Sequence, residues 1–227
     1  MTTSYHPVDA DTLRRNKEQG DLMDMRLDGK KIAILVADGF EQIEMTAPKE
    51  ALEAAGASVE IVSPSVPEVQ GWNHDEKADL FRVDMPLTRA RSDDYDGLLL
   101  PGGVRNPDQL RQLTRALEFV DGFFATGKPV AAICHASWTL IDAGVVEGKK
   151  MTSWPSLKTD LRNAGAEWVD RDVVVDKGLV SSRKPADIPA FNKKMIETFA
   201  EGRRRHSLSL VKPRARRTTS SQTAPLS

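Results

Sequence analysis

From residue 31 onward, short apolar runs stopped by glycine or a turn signal alternate with stretches of helical spacing. The first run, Ile32-Ala33-Ile34-Leu35-Val36, is unbroken in the way a strand buried on both faces of a parallel sheet requires, and Gly39 ends it. Between Ile43 and Ala55 apolar residues return at helical spacing (Ala47, Ala51, Leu52, Ala55), with Gly56 as the stop. A second strand over 59–62 completes one β-α-β unit. Residues 63–93 are richer in Pro, Gly and charge, and only short irregular strands near 81–83 are expected there. A buried strand over 95–100 stops at Pro101-Gly102-Gly103. A long helix over 107–126 follows, with Leu110, Leu113, Leu117, Val120 and Phe124 near one face.

The fourth strand, 130–133, leads directly into a helix over 136–143. Further on, 151–154 is a short strand, and Ser156 is placed to cap a helix ending near Asn163, with Gly165 beyond it. Residues 173–175 and 179–181 flank Asp176-Lys177-Gly178 as a hairpin, and 185–200 is the last helix. Strands alternating with helices predict a doubly wound, mostly parallel sheet, an α/β fold.

The chain has 227 residues, 40% hydrophobic and 29% charged, which suits one α/β domain over 30–202 with a sizeable core. No run approaches the ~18 apolar residues of a membrane span, and the polar N-terminus lacks a signal-peptide core, so a cytoplasmic protein is expected. One cysteine makes neither an internal disulfide nor a cysteine-rich zinc site; no metal and no cofactor are called for. The formal charge of -1 is uneven. Arg203, Arg204, Arg205, Lys212, Arg214, Arg216 and Arg217 share the segment 203–227 with no acid, so the body is acidic. That tail lacks the apolar content to fold and reads as a disordered arm. It suits at most weak, salt-sensitive contact with nucleic acid or another acidic surface, since no aromatic residue lies within it to stack on bases. Residues 1–29 form an N-terminal extension, with a helical turn or two over 12–25.

In doubly wound sheets, sites lie at the carboxyl ends of the strands. That rule gathers three loops: 38–44, 101–108 and 134–135. Cys134, the only cysteine, sits at a strand-to-helix turn, which lifts a side chain above the sheet and points it past the amides of the helix start. Those amides and the helix dipole favour the thiolate. A buried structural thiol is the alternative, since free Cys is among the most buried residue types. With Cys134 as nucleophile, the amides of Gly102, Gly103 and Ala136 are candidates to steady an oxyanion or hemithioacetal. Glu44, one helical turn from Glu41, is placed to point at the thiol as a proton shuttle with a raised pKa; both glutamates also suit a helix N-terminus. His135 either activates the thiol or is structural, and Asp108 is either a catalytic acid or a helix cap. His74, near Trp72, and Trp154 are candidates for the pocket entrance.

Gly39-Phe40-Glu41-Gln42-Ile43-Glu44, Leu99-Leu100-Pro101-Gly102-Gly103, Ile133-Cys134-His135 and Thr152-Ser153-Trp154 through Asp160 to Trp168 together resemble the PfpI branch of the ThiJ/PfpI superfamily over about residues 31–200. The resemblance implies a flavodoxin-like three-layer sandwich with a cysteine nucleophile elbow. It puts the elbow cysteine at Cys134, the adjoining histidine at His135 and the thiol-bonding glutamate at Glu44. It also implies a triad completed by an acid from a neighbouring subunit, which falls on Asp108 after a one-residue length adjustment, and hence a homodimer or higher oligomer. Ala136-Ser137 departs from the Gly-Pro usual after Cys-His. The class I glutamine amidotransferases place their histidine far downstream, and here only His206 follows, so glutaminase activity is set aside.

Three functions are compatible with these residues. The first is a cysteine-dependent deglycase or glyoxalase acting on small aldehydes or glycated proteins. The second is an intracellular cysteine peptidase or amidase, and the third a redox-sensing or chaperone-like stress protein.

Overall fold

The computed structural model describes residues 26–202. The tail at 203–227, the helical turn expected over 12–25 and all but the last four residues of the N-terminal extension lie outside that range.

The chain opens with β1 (Lys31–Leu35), a two-residue β2 (Phe40–Glu41) and α1 (Gln42–Ala54). Strands β3 (Ser58–Ser63), β4 (Glu68–Asn73), β5 (Glu76–Arg82), β6 (Met85–Pro86) and β7 (Gly97–Leu100) follow. Then come α2 (Arg105–Leu110), α3 (Thr114–Ala125), β8 (Val130–Ile133) and α4 (Ser137–Asp142). The last third holds β9 (Lys150–Met151), α5 (Lys158–Asn163), β10 (Glu167–Trp168), β11 (Val173–Asp176), β12 (Leu179–Ser182) and α6 (Ile188–Glu201).

Seven strands form the central sheet in the order β11-β12-β8-β7-β1-β3-β6, every pair parallel except β11 with β12. Because side chains alternate along a strand, β1 feeds two cores. Ile32 and Ile34 pack with Met45 and Leu52 of α1 and with Phe191, Met195 and Phe199 of α6. Ala33 and Leu35 face Phe119, Val120 and Phe123 of α3 and Leu140 of α4. The result is the three-layer, mostly parallel α/β sandwich expected from the sequence, with helices on both faces. Among the described residues no helix is long and apolar enough to cross a membrane.

Four local expectations are corrected. The helix over 107–126 is two helices: the N–H groups of Gln112 and Leu113 bond to carbonyls only three residues back, closing α2, and extended Leu113 then starts α3. The buried face of α3 is accordingly Ala116, Phe119, Val120 and Phe123, while Leu113 is exposed. Residues 63–93 hold a longer antiparallel hairpin, β4–β5, joined to β2 in a separate three-stranded sheet. Ser156 lies inside a 3-10 turn (Pro155–Leu157) and caps nothing, because α5 begins after Leu157 with no side-chain cap. The strand at 151–154 shrinks to β9, as Thr152 and Ser153 turn their polar groups into the interior. The β11–β12 hairpin is as expected, with Lys177 and Gly178 both at positive φ in a tight two-residue turn.

Candidate active site

The carboxyl ends of β1, β7 and β8, neighbours in the sheet, converge on one point. After β1 the chain turns through Gly39 into α1, whose first turn carries Glu44 fully buried. After β7 it enters Pro101-Gly102-Gly103. After β8 it makes a 3-10 turn (Cys134–Ala136) before α4, and Cys134 takes φ 63°, a left-handed conformation that costs an L residue with a Cβ. The strain presents Sγ at the sheet edge.

Close approach is what glycine supplies here. The Gly102 N–H donates to Glu44 Oε2 at 2.9 Å. A Cβ on Gly102 would lie 2.6 Å from that oxygen and 2.7 Å from Cys134 Cβ, so any side chain would force the glutamate, the loop and the elbow apart.

Glu44 Oε1 has no hydrogen-bond partner among the described residues. Burial pushes the Glu44 carboxyl up to about 8, although the Gly102 N–H and the Cys134 thiol pull the other way. At neutral pH Glu44 therefore holds its proton. Burial also pushes the Cys134 thiol up, as does any charge on Glu44, while the N–H groups of His135 and Gly103 act to lower it. The turn amides favour the thiolate, as the sequence suggests, but Cys134 is 6% exposed and burial pushes its thiol up. Desolvation outweighs the turn amides.

His135 Nδ1 lies 3.2 Å from Cys134 Sγ. The ring stacks on Trp154, centroids 5.6 Å apart at 26°, and tilts against Trp138 at 5.3 Å. Burial lowers its pKa to about 4, so the imidazole is neutral at neutral pH and, as the Nε2–H tautomer, can accept the thiol proton.

A cavity of about 240 Å³ opens onto Cys134, His135 and Glu44. Gly103, Val104 and Arg105 line it from the β7 loop, His74 and Asp75 from the tip of the β4–β5 hairpin, and Trp154 from the segment after β9. Arg105 lays its guanidinium over the Trp72 ring at 4.3 Å. His74, at φ 56°, donates its N–H to Glu41 Oε2 at 3.1 Å, and its own ring is solvent-exposed.

Of the residues singled out from sequence, Cys134, His135, Glu44, Gly103, Trp154 and His74 meet at this cavity. Three do not. Gly102 has its N–H committed to Glu44 and is not free to bind a substrate oxygen. Ala136 is buried behind the elbow, outside the lining. Asp108 stands on the exposed side of α2, where its backbone carbonyl accepts from Gln112 Nε2, outside the lining of the cavity. Arg105, Asp75 and Pro185 line the cavity without having been read from sequence. Recognising the β4–β5 hairpin would have drawn attention to Asp75 at its tip. Among the described residues no group of three or more His, Cys, Asp or Glu is arranged to hold a metal ion.

The DJ-1/PfpI family model matches residues 30–198. YraA of Bacillus subtilis, which carries a provisional cysteine-protease name, is 42% identical over 167 residues, 74% of this chain and 96% of its own. Protein/nucleic acid deglycase 2 of Escherichia coli is 40% identical over 168 residues, again 74% and 96%. The crystal structure of Drosophila melanogaster DJ-1beta superposes with a TM-score of 0.69 at 29% identity, over 75% of this chain and 90% of that one.

Proposed function

The chain belongs to the DJ-1/PfpI family, and on that premise we propose that it is a deglycase- or glyoxalase-type enzyme that uses Cys134 to process reactive carbonyls or their adducts. That it is an enzyme with cysteine-dependent activity follows from relatives at about 40% identity named for deglycase and cysteine-protease activities. The carbonyl reading rests on one observation. Glu44, buried and with Oε1 unpartnered, lies beside the Cys134 thiol at the floor of a small cavity.

A charged nucleophile is not needed at rest. As Sγ bonds to the carbonyl carbon of an α-oxoaldehyde, the thiol proton leaves to His135 Nδ1 and passes to the new oxyanion, giving a hemithioacetal. The Gly103 and His135 amides steady the developing charge. Glu44 gives its proton to the oxygen of the adjacent carbonyl and, so ionised, takes the proton from the carbon bearing sulfur; it then returns a proton to the adjacent carbon and recovers its own from the hydroxyl on the sulfur-bearing carbon, leaving a 2-hydroxy thioester. Water then cleaves the C–S bond, releasing a 2-hydroxy acid and restoring the thiol. A carboxyl whose pKa is near 8 suits this step, because it gives and takes protons near neutral pH.

A peptidase reading is favoured by one contact, the Cys134–His135 pair at 3.2 Å. It would need an acid on the far side of His135, which Asp108 of the partner subunit would supply in a homodimer or larger ring. The cavity of about 240 Å³ suits a three-carbon aldehyde better than an extended peptide. A reducing, cytoplasmic setting is the natural one for a working thiol.

The test is a panel of α-oxoaldehydes, glycated amines and fluorogenic peptides on wild type and Cys134→Ser. Carbonyl turnover lost in the variant supports the proposal; peptide cleavage without carbonyl turnover overturns it.

A further inference from the structure

Asn106 is fully buried on α2, is not part of the lining of the active-site cavity and was not among the residues read from sequence. All of its polar capacity toward the backbone is used at the three converging loops. Its Oδ1 accepts the Ala37 N–H at 2.7 Å, and its Nδ2 donates to the carbonyls of Pro101 at 2.8 Å and Gly102 at 3.0 Å. The orientation of the amide is fixed by these partners, since the reverse would set an oxygen against two carbonyls and an NH2 group against an N–H.

Those two carbonyls matter because of what lies at the other end of each peptide unit. The Pro101 carbonyl shares its peptide with the Gly102 N–H, which donates to Glu44 Oε2. The Gly102 carbonyl shares its peptide with the Gly103 N–H, which acts to lower the pKa of the Cys134 thiol. We propose that Asn106 is a positioning residue of the reaction: its single NH2 group clamps and polarises both peptide units whose N–H groups serve Glu44 and Cys134. A hydrogen bond accepted by a carbonyl strengthens the donor at the far end of the same peptide, so the two bonds act in the same direction. Both N–H groups favour the ionised form of their partners. Asn106 thereby sets how readily the thiol and the carboxyl give up protons, from a position the substrate never touches. The Glu41 N–H bonds to the same Gly102 carbonyl at 3.3 Å, so the clamp also ties in the start of α1.

This inference rests on Cys134 and Glu44 being the reacting pair, and its test is independent of the substrate. The rate of Cys134 alkylation by iodoacetamide is measured against pH in the full chain for wild type, Asn106→Leu and Asn106→Ser. The expected result is a midpoint raised by roughly half to one pH unit and an alkylation rate at pH 7 lowered about three- to tenfold, with the circular dichroism spectrum unchanged. A folded variant with the wild-type midpoint overturns the proposal, because a purely structural role would lower thermal stability and leave the midpoint in place. Should neither variant fold, the wild-type protein decides. The Asn106 carboxamide resonances are expected to shift with the same midpoint as alkylation, and resonances that stay flat through that titration overturn it. Wild type that alkylates readily and turns over no carbonyl counts against the function proposed above and leaves this inference standing.

Discussion

Two groupings of titratable side chains past the ends of strands in the central sheet are built on opposite plans. Arg183, just past β12, grips Asp187 through both Nε (2.8 Å) and Nη2 (3.1 Å), meets Asp170 at 2.6 Å and also bonds Asp172. Each guanidinium nitrogen has a charged acceptor, and these bonds hold the Arg183 pKa above its ordinary value. The cluster ties the start of α6 to the segment after β10. Glu44, past the end of β1, is more deeply buried and has no ion-pair partner among the described residues. A carboxylate given a cation keeps its charge and becomes a fixed tie. One given only a peptide N–H and a thiol keeps its proton and can move it. Asp187 and Glu44 are both buried, and the presence or absence of a cation decides which is structure and which is chemistry.

The contrast is broken most severely by Glu44→Gln. The amide keeps shape and neutrality but cannot exchange a proton, so kcat on whichever substrate the panel identifies should fall about 10²- to 10⁴-fold, measured in steady-state assays. Stability carries a second signature. With its folded pKa near 8, above the ordinary value of 4.5, Glu44 binds a proton more tightly in the native state than in the unfolded chain. Native stability therefore falls as pH rises from about 4.5 to 8. His135, lowered from 6.5 to about 4, acts with the opposite sign, adding stability as pH rises through that lower range. Above pH 6.5 only the Glu44 slope remains of the two. Urea unfolding at pH 6.5 and pH 8 should show the decline in wild type and not in Glu44→Gln; an equal decline in both would show that the slope has another origin.

Arg183→Met sharpens the same comparison from the other side. It strands Asp187, which is 7% exposed, without its partner, and should lower unfolding stability by about 1–3 kcal/mol in urea titrations. Alkylation of Cys134 and its pH dependence should stay at wild-type values, because this cluster holds a helix in place and exchanges no proton with the site. A shifted alkylation midpoint would show that the two groupings are coupled through Pro185, which lines the cavity two residues along.

The central strands were readable because a strand buried on both faces leaves an unbroken apolar run, as at Ile32–Val36 and Val130–Ile133. Glu68–Asn73 and Glu76–Arg82 left no such trace. Their pairing is written in alternation that Gly71 and exposed charged residues blur, and the ladder shifts register between Gln70 and Trp72. The helix break at Leu113 has no Pro or Gly to announce it. Within the site, Cys134 was legible as a unique residue at a strand-to-helix turn, and Glu44 through its spacing and the family pattern. Their protonation was not, since desolvation is set by loops brought together from residues far apart in sequence. Asn106 was invisible for the same reason: Arg-Asn-Pro-Asp reads as an ordinary helix start, and only the fold shows that one side chain spans Ala37, Pro101 and Gly102.

The mildest perturbation tests what keeps His135 uncharged. Trp154, 37% exposed, lies flat on His135 and is the ring that separates it from solvent on that side, while Trp138 covers another edge. Since desolvation alone accounts for the low His135 pKa, admitting water where the indole lay should raise it by about one unit and leave Glu44 untouched. Proton NMR titration of the imidazoles in Trp154→Ala reads this directly, and activity at pH 7 should fall only a few-fold, because His135 is still neutral there. A His135 that continues to titrate near 4 would mean that Trp138 and the elbow suffice to desolvate it. The tryptophan stack would then be a wall for the substrate, and the neutrality of His135, unlike the charged lock around Arg183, would be set entirely from beneath the cavity.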